Sequence, residues 1–377
     1  MKRFLATLCL AALCLSVPIR AAGLKLASPS VLLMEKQTGT VLYAVDEHTQ
    51  REPASVTKVM TLLLTMEAID SGALSYDDVV TGSAHASSMG GSQIWLREGE
   101  KLTVRELLKA VCVVSGNDAA VALGEHLAGS EEAFVEKMNE RARALGMADT
   151  HFVNCTGLPA EGHLTSAYDV AVMSRELILR HPDIRQFTTL WMDSLRDGTS
   201  MLVNTNKLIR FYDGATGLKT GSTSTAGYCV SATAEKNGME LIAVVMKGPS
   251  SDERFADARM LLDYGFATYA LVTVTPDEAL APVPVTLGAR EAVQPVLTKE
   301  NTLLTLKAGV GGLQKEVVLP ERVAAPVHRD ERIGELRVTN AAGETVAVLP
   351  ILAGETVEKV TWSQMLGRIL RCAFCAE

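Results

Sequence analysis

A serine and a lysine stand three residues apart in the run Pro53-Ala54-Ser55-Val56-Thr57-Lys58, at the start of a predicted helix. This spacing places both side chains on one face of a helix, within reach of each other. A serine hydroxyl is a weak nucleophile until a base accepts its proton. A lysine can be that base when burial or a neighbouring cation lowers its pKa. Ser55 and Lys58 are therefore a candidate nucleophile and base, although a Ser-x-x-Lys tetrapeptide is expected about once by chance in such a chain.

The segment Ser115-Gly116-Asn117 lies between two predicted helices. A hydroxyl at this place can relay a proton to a leaving group, and an amide can hold both Lys58 and a substrate carbonyl. The alternative is a helix-junction turn in which Asn117 is the N-cap.

The segment Lys219-Thr220-Gly221 enters a predicted strand. Its cation and hydroxyl suit a substrate carboxylate, and Gly221 would let a peptide lie against the strand edge. The alternative is an ordinary β turn. Each of the three segments alone is weak evidence for an active site, whereas the three together, in this order, are strong evidence for one.

The bulk composition limits the classes of protein that could carry these segments. The chain has 377 residues, a formal net charge of −8 and 47% hydrophobic residues. This length allows one large domain and a smaller one, and the hydrophobic content indicates a packed protein. The negative charge argues against a nucleic-acid binder, which needs a basic surface.

The first 22 residues are typical of an export signal. Lys2 and Arg3 precede the apolar run Phe4–Val17, which is too short to span a membrane comfortably. Small residues at 21–23 offer a cleavage site. The alternative is an uncleaved membrane anchor.

The elements that must position the candidate site follow from the apolar periodicity and the turn residues. The predicted strands are 30–35, 40–44, 227–234 and 239–247, and the predicted helices are 56–69, 103–113, 118–127, 131–145, 166–180 and 253–269. The block 81–99 is rich in Gly and Ser and is predicted to be irregular. This order predicts an α/β protein of the α+β type, in which helices cover an antiparallel sheet and one helical subdomain is inserted, over residues 23–272.

Two further regions follow this catalytic part. Residues 273–355 alternate short valine- and leucine-rich runs with turn residues, which predicts a small all-β domain. Residues 356–377 form a tail in which 357–374 is predicted as an amphipathic helix with a basic face, and 357–376 is expected to lie on a membrane surface. The alternative is a terminal helix docked on the protein's own core.

The cysteines do not indicate a disulfide or metal framework. Cys112, Cys155 and Cys229 each occur singly in apolar surroundings and are predicted to be buried free thiols. Cys372 and Cys375 have redox or metal spacing, but no second pair or histidine follows them. Palmitoylation-like or simple apolar use at a membrane surface fits their context better, and no metal or cofactor is expected.

The three segments, in this order and on these elements, resemble the signature set of penicillin-binding proteins and class A β-lactamases. The likeness is greater to low-molecular-mass penicillin-binding proteins, the D-alanyl-D-alanine carboxypeptidases of the bacterial cell wall. Further matching stretches are Gly90-Gly91-Ser92, Asp118-Ala119-Ala120 and Asn154-Cys155-Thr156-Gly157-Leu158. The resemblance covers about residues 27–270 and extends in plan to the β domain and tail, and it implies a penicillin-binding-protein/β-lactamase-like transpeptidase fold.

The resemblance also implies the role of each residue. Ser55 would attack the carbonyl between two terminal D-alanines of a peptidoglycan stem peptide, and Lys58 would accept its proton. Ser115 would help to pass a proton to the departing D-alanine, while Asn117 would position Lys58 and the substrate amide. β-Lactams would act as covalent inhibitors.

The remaining implied residues bind the substrate. Lys219 and Thr220 would hold its terminal carboxylate beside Gly221, and the backbone N–H groups of Ser55 and Ser222 would form the oxyanion hole. Some family members carry histidine where this chain has Ser222, which should alter substrate preference more than the reaction. The implied location is the extracytoplasmic face of the cytoplasmic membrane.

Three alternative functions can be compared with the sequence. A β-lactamase would need a deacylating glutamate in a Glu-x-x-Leu-Asn context, and Glu161, followed by Gly162-His163-Leu164, does not provide it. A β-lactam sensor would be acylated without turnover, which intact motifs do not exclude. A Ser-His-Asp hydrolase lacks its G-x-S-x-G elbow, and His163 is expected to be structural. The balance of carboxypeptidase, endopeptidase and transpeptidase activity stays open.

Overall fold

The computed structural model describes residues 23–298 and 301–374, with side chains up to residue 369. The predicted signal peptide at 1–22, the side chain of Cys372, and Cys375 lie outside what is described.

The first part of the chain pairs two strands and then becomes helical. Its elements are β1 (Ser30–Glu35), β2 (Val41–Val45), α1 (Lys58–Asp70), β3 (Val79–Thr81), α2 (Ala84–Ser87), β4 (Lys101–Thr103), α3 (Val104–Val113), α4 (Asn117–Ala128), α5 (Glu131–Ala144) and α6 (Ala167–Arg180). A 3₁₀ turn, Ala54–Thr57, directly precedes α1.

The middle of the chain returns to strands. Its elements are α7 (Arg185–Thr188), β5 (Met192–Leu195), β6 (Ser200–Val203), α8 (Leu208–Phe211), β7 (Ala215–Thr223), β8 (Gly227–Lys236), β9 (Met239–Gly248) and α9 (Ser251–Thr268). The last part contains β10 (Tyr269–Thr273), β11 (Val283–Thr286), β12 (Ala292–Val293), β13 (Pro295–Leu297), β14 (Thr302–Leu306), β15 (Gln314–Val318), β16 (Val323–Ala324), β17 (Arg332–Thr339), β18 (Thr345–Ala353) and α10 (Trp362–Phe374).

A five-stranded antiparallel sheet of order β2-β1-β9-β8-β7 forms the centre of the catalytic part. Its middle strands are apolar on both faces, since Leu32 and Met34 join the core of the helical block. Val31 and Leu33, which alternate with them, join the core under α9. Burial on both faces explains the continuous apolar run of β1. The strand β7, which carries Lys219, is an edge strand and leaves one side of its backbone free for a ligand.

Most predicted elements are confirmed. The β8–β9 hairpin turns at Asn237-Gly238, where both residues have positive φ, as this dipeptide favours. The helix after Ser130 begins as predicted, and the Ser130 hydroxyl accepts a hydrogen bond from the Ala133 N–H. In the block predicted to be irregular, the short helix α2 and the end of β3 at Thr81 were missed.

The end of α9 and the start of the tail helix differ from the prediction because their residues pair with strands. The helix α9 ends at Thr268, because Tyr269–Thr273 turns into β10 and pairs with β14. The tail helix begins at Trp362 and not at residue 357, because Val357 and Lys359 form β-bridges with Val327 and Gly288. Lys359 therefore belongs to the β layer and not to the basic face of the helix. The sequence also gave no indication of the β5–β6 hairpin.

The C-terminal strands surround their own apolar core. A sheet of order β13-β18-β17-β15 packs residues such as Leu336, Val338 and Ile351 against Val283 and Val293 of a smaller sheet. The described residues contain no helix of the length and apolarity that crossing a membrane requires. The division of the chain at 272 and 355 stays a prediction.

Candidate active site

Ser55 lies in the 3₁₀ turn that leads into α1, and Lys58 is the first residue of that helix. The tight turn brings the Lys58 Nζ within 2.9 Å of the Ser55 Oγ. Ala54, directly before the serine, has a left-handed φ of 48°, a conformation that L-residues adopt at a cost. The backbone is thus strained at Ala54, the residue directly before Ser55.

The amine of Lys58 is completely buried, and it donates to the Asn117 Oδ1 at 2.6 Å and to the Thr156 carbonyl at 2.7 Å. Burial, followed by repulsion from Lys219, holds the pKa of Lys58 well below its usual value. None of its hydrogen-bond partners is a carboxylate. Both causes favour the neutral amine, which is the form that can accept a proton from Ser55.

Asn117 is the first residue of α4, and Ser115 stands at the α3–α4 corner with a left-handed φ of 63°. The N-cap position is occupied by Gly116, so the alternative in which Asn117 caps the helix is wrong. The Asn117 side chain is aimed at Lys58 instead, and its Nδ2 donates to the Gly90 carbonyl at 2.6 Å. This second contact determines which end of the amide faces the lysine.

Lys219 points from β7 towards the Ser115 corner. Its Nζ donates to the Ser115 Oγ at 2.8 Å and to the Thr220 carbonyl at 2.9 Å. Burial lowers the pKa of Lys219 to about 7. The cation and the serine hydroxyl that the sequence placed in separate motifs are therefore direct neighbours, and an incoming anion would strengthen the charged form of the lysine.

Gly221 has a structural role that the sequence did not indicate. A Cβ at this position would lie 2.8 Å from the Ser55 nitrogen and 2.9 Å from the Val56 nitrogen. The glycine is thus required so that β7 can approach the backbone of the turn that carries Ser55. The expected approach of a peptide to the strand edge at Gly221 stays a prediction.

A loop that the sequence singled out without a role supplies the third contact of Lys58. The Asn154 Oδ1 accepts from the backbone nitrogens of Thr156 and Gly157, at 3.2 and 2.7 Å. Gly157 has a φ of 85°, and a Cβ there would lie 1.8 Å from the Ala54 carbonyl oxygen. The Asn-x-x-Gly spacing could have indicated this tight turn, but a main-chain acceptor leaves no trace in residue types.

Two further residues near β7 were missed. The Thr220 Oγ1 donates to the Thr205 Oγ1 at 2.8 Å, and the Thr205 side chain is exposed at the strand edge. Arg254 of α9 is buried and donates to the carbonyls of Gly221 and Cys229, at 3.2 and 3.1 Å. Burial lowers the pKa of Arg254 to about 10. The guanidinium pairs with no carboxylate in the part of the chain that the structure describes, and it holds the end of β7 in place.

His163 does not hydrogen-bond Ser55. Its Nδ1 accepts from the Val153 N–H at 2.9 Å, which leaves Nε2 to donate to the Thr57 hydroxyl at 2.8 Å. Burial lowers its pKa to about 4, so the ring is neutral at working pH. These contacts give His163 the structural role expected of it. Glu161, the β-lactamase alternative, is exposed and makes no contact with Ser55 or Lys58.

Cys112, Cys155 and Cys229 are buried free thiols, as predicted. Burial raises the pKa of Cys112 to about 12, which makes it unreactive. Within residues 23–298 and 301–374, no group of three or more His, Cys, Asp or Glu side chains could hold a metal ion.

Comparison with known proteins gives family matches over most of the chain. Residues 18–250 match a family model described as D-alanyl-D-alanine carboxypeptidase, and residues 272–359 match one described as penicillin-binding protein 5, C-terminal domain. The D-alanyl-D-alanine carboxypeptidase DacF of Bacillus subtilis is 41% identical over 346 residues, which cover 90% of this chain and 88% of that protein.

Solved structures show the same fold. Penicillin-binding protein 5 from Haemophilus influenzae aligns with a TM-score of 0.78 at 27% identity, over 90% of this chain and all of that one. Penicillin-binding protein D2 from Listeria monocytogenes, in an ampicillin-bound form, aligns with a TM-score of 0.60 at 31% identity, over 65% of this chain and 99% of that one. The predicted fold class is confirmed.

Proposed function

Since the chain belongs to the D-alanyl-D-alanine carboxypeptidase family, we propose that Ser55 is the residue acylated in its reaction and Lys58 the base that activates it. The chain is a serine-type peptidase that removes the terminal D-alanine from peptidoglycan stem peptides. The observation that carries the residue assignment is the buried Lys58 amine, shared by Ser55, Asn117 and Thr156.

In the acylation step, the Ser55 Oγ attacks the carbonyl carbon of the penultimate D-alanine and its proton passes to the Lys58 Nζ. The developing oxyanion is stabilised by the backbone N–H groups of Ser55 and Ser222. The C–N bond then breaks, and the departing amine takes a proton from the Ser115 hydroxyl. The proton that Lys58 accepted replenishes the Ser115 hydroxyl, so Lys58 becomes neutral again. Lys219, which donates to that hydroxyl at 2.8 Å, orients it and keeps its own proton.

The substrate's terminal carboxylate binds between Lys219 and Thr220, with the exposed Thr205 hydroxyl extending the same clamp. In the free enzyme the Thr220 hydroxyl donates to Thr205, and a bound carboxylate can accept from both. The carboxylate also raises the pKa of Lys219 from its value of about 7 and so secures the cation. Arg254 supports this strand through the Gly221 carbonyl.

Deacylation uses water and the same Lys58 amine. No carboxylate of the described residues hydrogen-bonds Ser55 or Lys58, in contrast to an enzyme built for rapid β-lactam hydrolysis. β-Lactams therefore act as covalent inhibitors with long-lived acyl-Ser55 adducts. The ampicillin-bound form of the Listeria relative supports this inference.

The test of the function is D-alanine release from a peptide that ends in D-Ala-D-Ala, measured beside labelling by penicillin. Release together with labelling is the expected result. Labelling without release would favour the β-lactam sensor, and rapid penicillin hydrolysis would favour the β-lactamase.

Action on peptidoglycan places the enzyme outside the cytoplasm. We infer further that residues 1–22 direct export and that the tail binds the outer face of the cytoplasmic membrane. Trp362, Leu366 and Ile369 of α10 are 92%, 57% and 57% exposed, and an exposed apolar stripe of this kind suits a membrane surface. Residues 23–272 would be the catalytic domain and 273–355 the small β domain that separates it from the tail at 356–377.

A further inference from the structure

Trp95 combines an unfavourable backbone with an exposed indole ring. Its φ is 60°, in the left-handed region that bulky residues rarely adopt. Its side chain is 75% exposed. The apolar side chains before and after it, Ile94 and Leu96, are buried. A large aromatic residue is thus held in solvent in an unfavourable backbone conformation. A glycine or asparagine would adopt the same turn at lower conformational cost.

The backbone on both sides of Trp95 is held by side chains from other elements. The Asp118 Oδ2 accepts from the Ile94 and Leu96 nitrogens, each at 3.0 Å. Arg196, from the turn between β5 and β6, donates to the Ile94 carbonyl at 3.0 Å and to the Trp95 carbonyl at 3.4 Å. These contacts impose the strained backbone conformation at Trp95.

The same loop is part of the candidate active site. The Ser92 carbonyl accepts from the Asn117 N–H at 2.7 Å, and Asp118, which holds the loop, is the next residue along α4. Three residues of extended chain span at most about 11 Å, so Trp95 lies within that distance of the Asn117 contact. This is the reach of a peptide that extends two or three residues from an acylated Ser55.

We propose that Trp95 is a binding platform for the long side chain of the residue that precedes the two D-alanines of the substrate. Peptidoglycan stem peptides carry a diamino acid at that position, with an aliphatic stem and an amine. An indole face packs well against such a stem and attracts a terminal cation. The proposal rests on the proposed function, and it assigns Trp95 to recognition of the substrate and not to the chemical step.

The test compares two substrates that differ in one side chain, acetyl-Lys-D-Ala-D-Ala and acetyl-Gly-D-Ala-D-Ala. Trp95→Gly removes the ring and also relieves the backbone strain, so it should fold at least as well as the natural chain. We expect its kcat/KM to fall about threefold to tenfold for the lysine peptide and to stay unchanged for the glycine peptide. Trp95→Phe, which retains an aromatic face, should keep most of the discrimination.

Leu287→Gly is the matched control, since Leu287 has a φ of 56° and is 58% exposed, but lies in the C-terminal β part. It should change neither substrate's kcat/KM. Equal effects of Trp95→Gly on both peptides, or none on either, would overturn the proposal.

Calorimetric binding of both peptides to the Ser55→Ala variant, with and without Trp95→Gly, separates this proposal from the proposed function. A lysine-specific loss of affinity supports the platform even if no D-alanine is released. Its absence rejects the platform even if release is observed.

Discussion

The Lys58 Nζ lies 2.9 Å from the Ser55 Oγ, and Asn117 and Thr156 occupy its other two hydrogen-bonding directions. Since none of these partners is a carboxylate, no acidic side chain of the described residues stabilises the ammonium form of Lys58 by direct pairing. The lysine is therefore suited to act as a base, and the consequences for pH dependence and for stability can be measured.

The pH dependence of kcat/KM should be bell-shaped. The rising limb reports loss of the Lys58 proton at a pKa well below the usual lysine value. The falling limb, near pH 7, reports loss of the Lys219 proton and with it the carboxylate clamp. In kcat the falling limb should move to higher pH, because the bound carboxylate raises the pKa of Lys219. Lys219→Arg should remove the falling limb, and a limb unchanged by that substitution would belong to another group.

The buried Lys219 should also make stability depend on pH. Its pKa of about 7 in the folded protein lies below the ordinary value of 10.5, so the unfolded chain binds more protons between these two pH values. The contribution of Lys219 to the free energy of unfolding should therefore increase as pH rises from about 7 to 10.5. In denaturant titrations, the free energy of unfolding of the natural chain should rise relative to that of Lys219→Met over this window. A constant difference would mean that the lysine titrates normally.

Gly221→Ala should strongly lower the rate of acylation by penicillin and should change the free energy of unfolding much less. The added Cβ would meet the backbone nitrogens of Ser55 and Val56 at 2.8 and 2.9 Å and push the nucleophile turn away from β7. A displacement of this kind can cost about a hundredfold in rate. Gly311→Ala is the control, since a Cβ there meets nothing within 4 Å. Stopped-flow measurements give the acylation rates of both variants. Equal rates would show that the close packing of Gly221 against the Ser55 turn is not needed for acylation.

Deletion of residues 362–377 should release the protein from membranes and leave its melting temperature unchanged. The cut follows Thr361 because Val357 is buried in the β core and bridges Val327. A cut at residue 357 would therefore also lower the melting temperature. Flotation with vesicles of bacterial lipid composition measures the release. Full membrane binding by the 362–377 deletion would show that another part of the chain binds lipid.

The sequence predicted the parts of the site that side-chain types reveal. Ser55, Lys58, Asn117 and Lys219 could be placed because each belongs to a segment with its own helix or strand signal. The central sheet could also be predicted, since the apolar runs of β1 and β9 and the Asn237-Gly238 turn follow local rules.

The contacts that join these segments could not be predicted. Thr156 acts through its main-chain carbonyl, which any residue could supply. The role of Gly221 depends on the distance between β7 and the nucleophile turn, and the buried Arg254 resembles any surface arginine of an amphipathic helix in sequence. The start of the tail helix was misplaced because the bridge at Val357 joins residues far apart in the chain.

The acyl-enzyme itself is the most direct test of the site. Intact-protein and peptide mass spectrometry after incubation with penicillin should show one adduct on the peptide that contains Ser55. The Ser55→Ala variant, folded as judged by an unchanged melting temperature, should show neither adduct nor D-alanine release. An adduct on another residue, or D-alanine release by the folded Ser55→Ala variant, would contradict the assignment of Ser55 as the nucleophile.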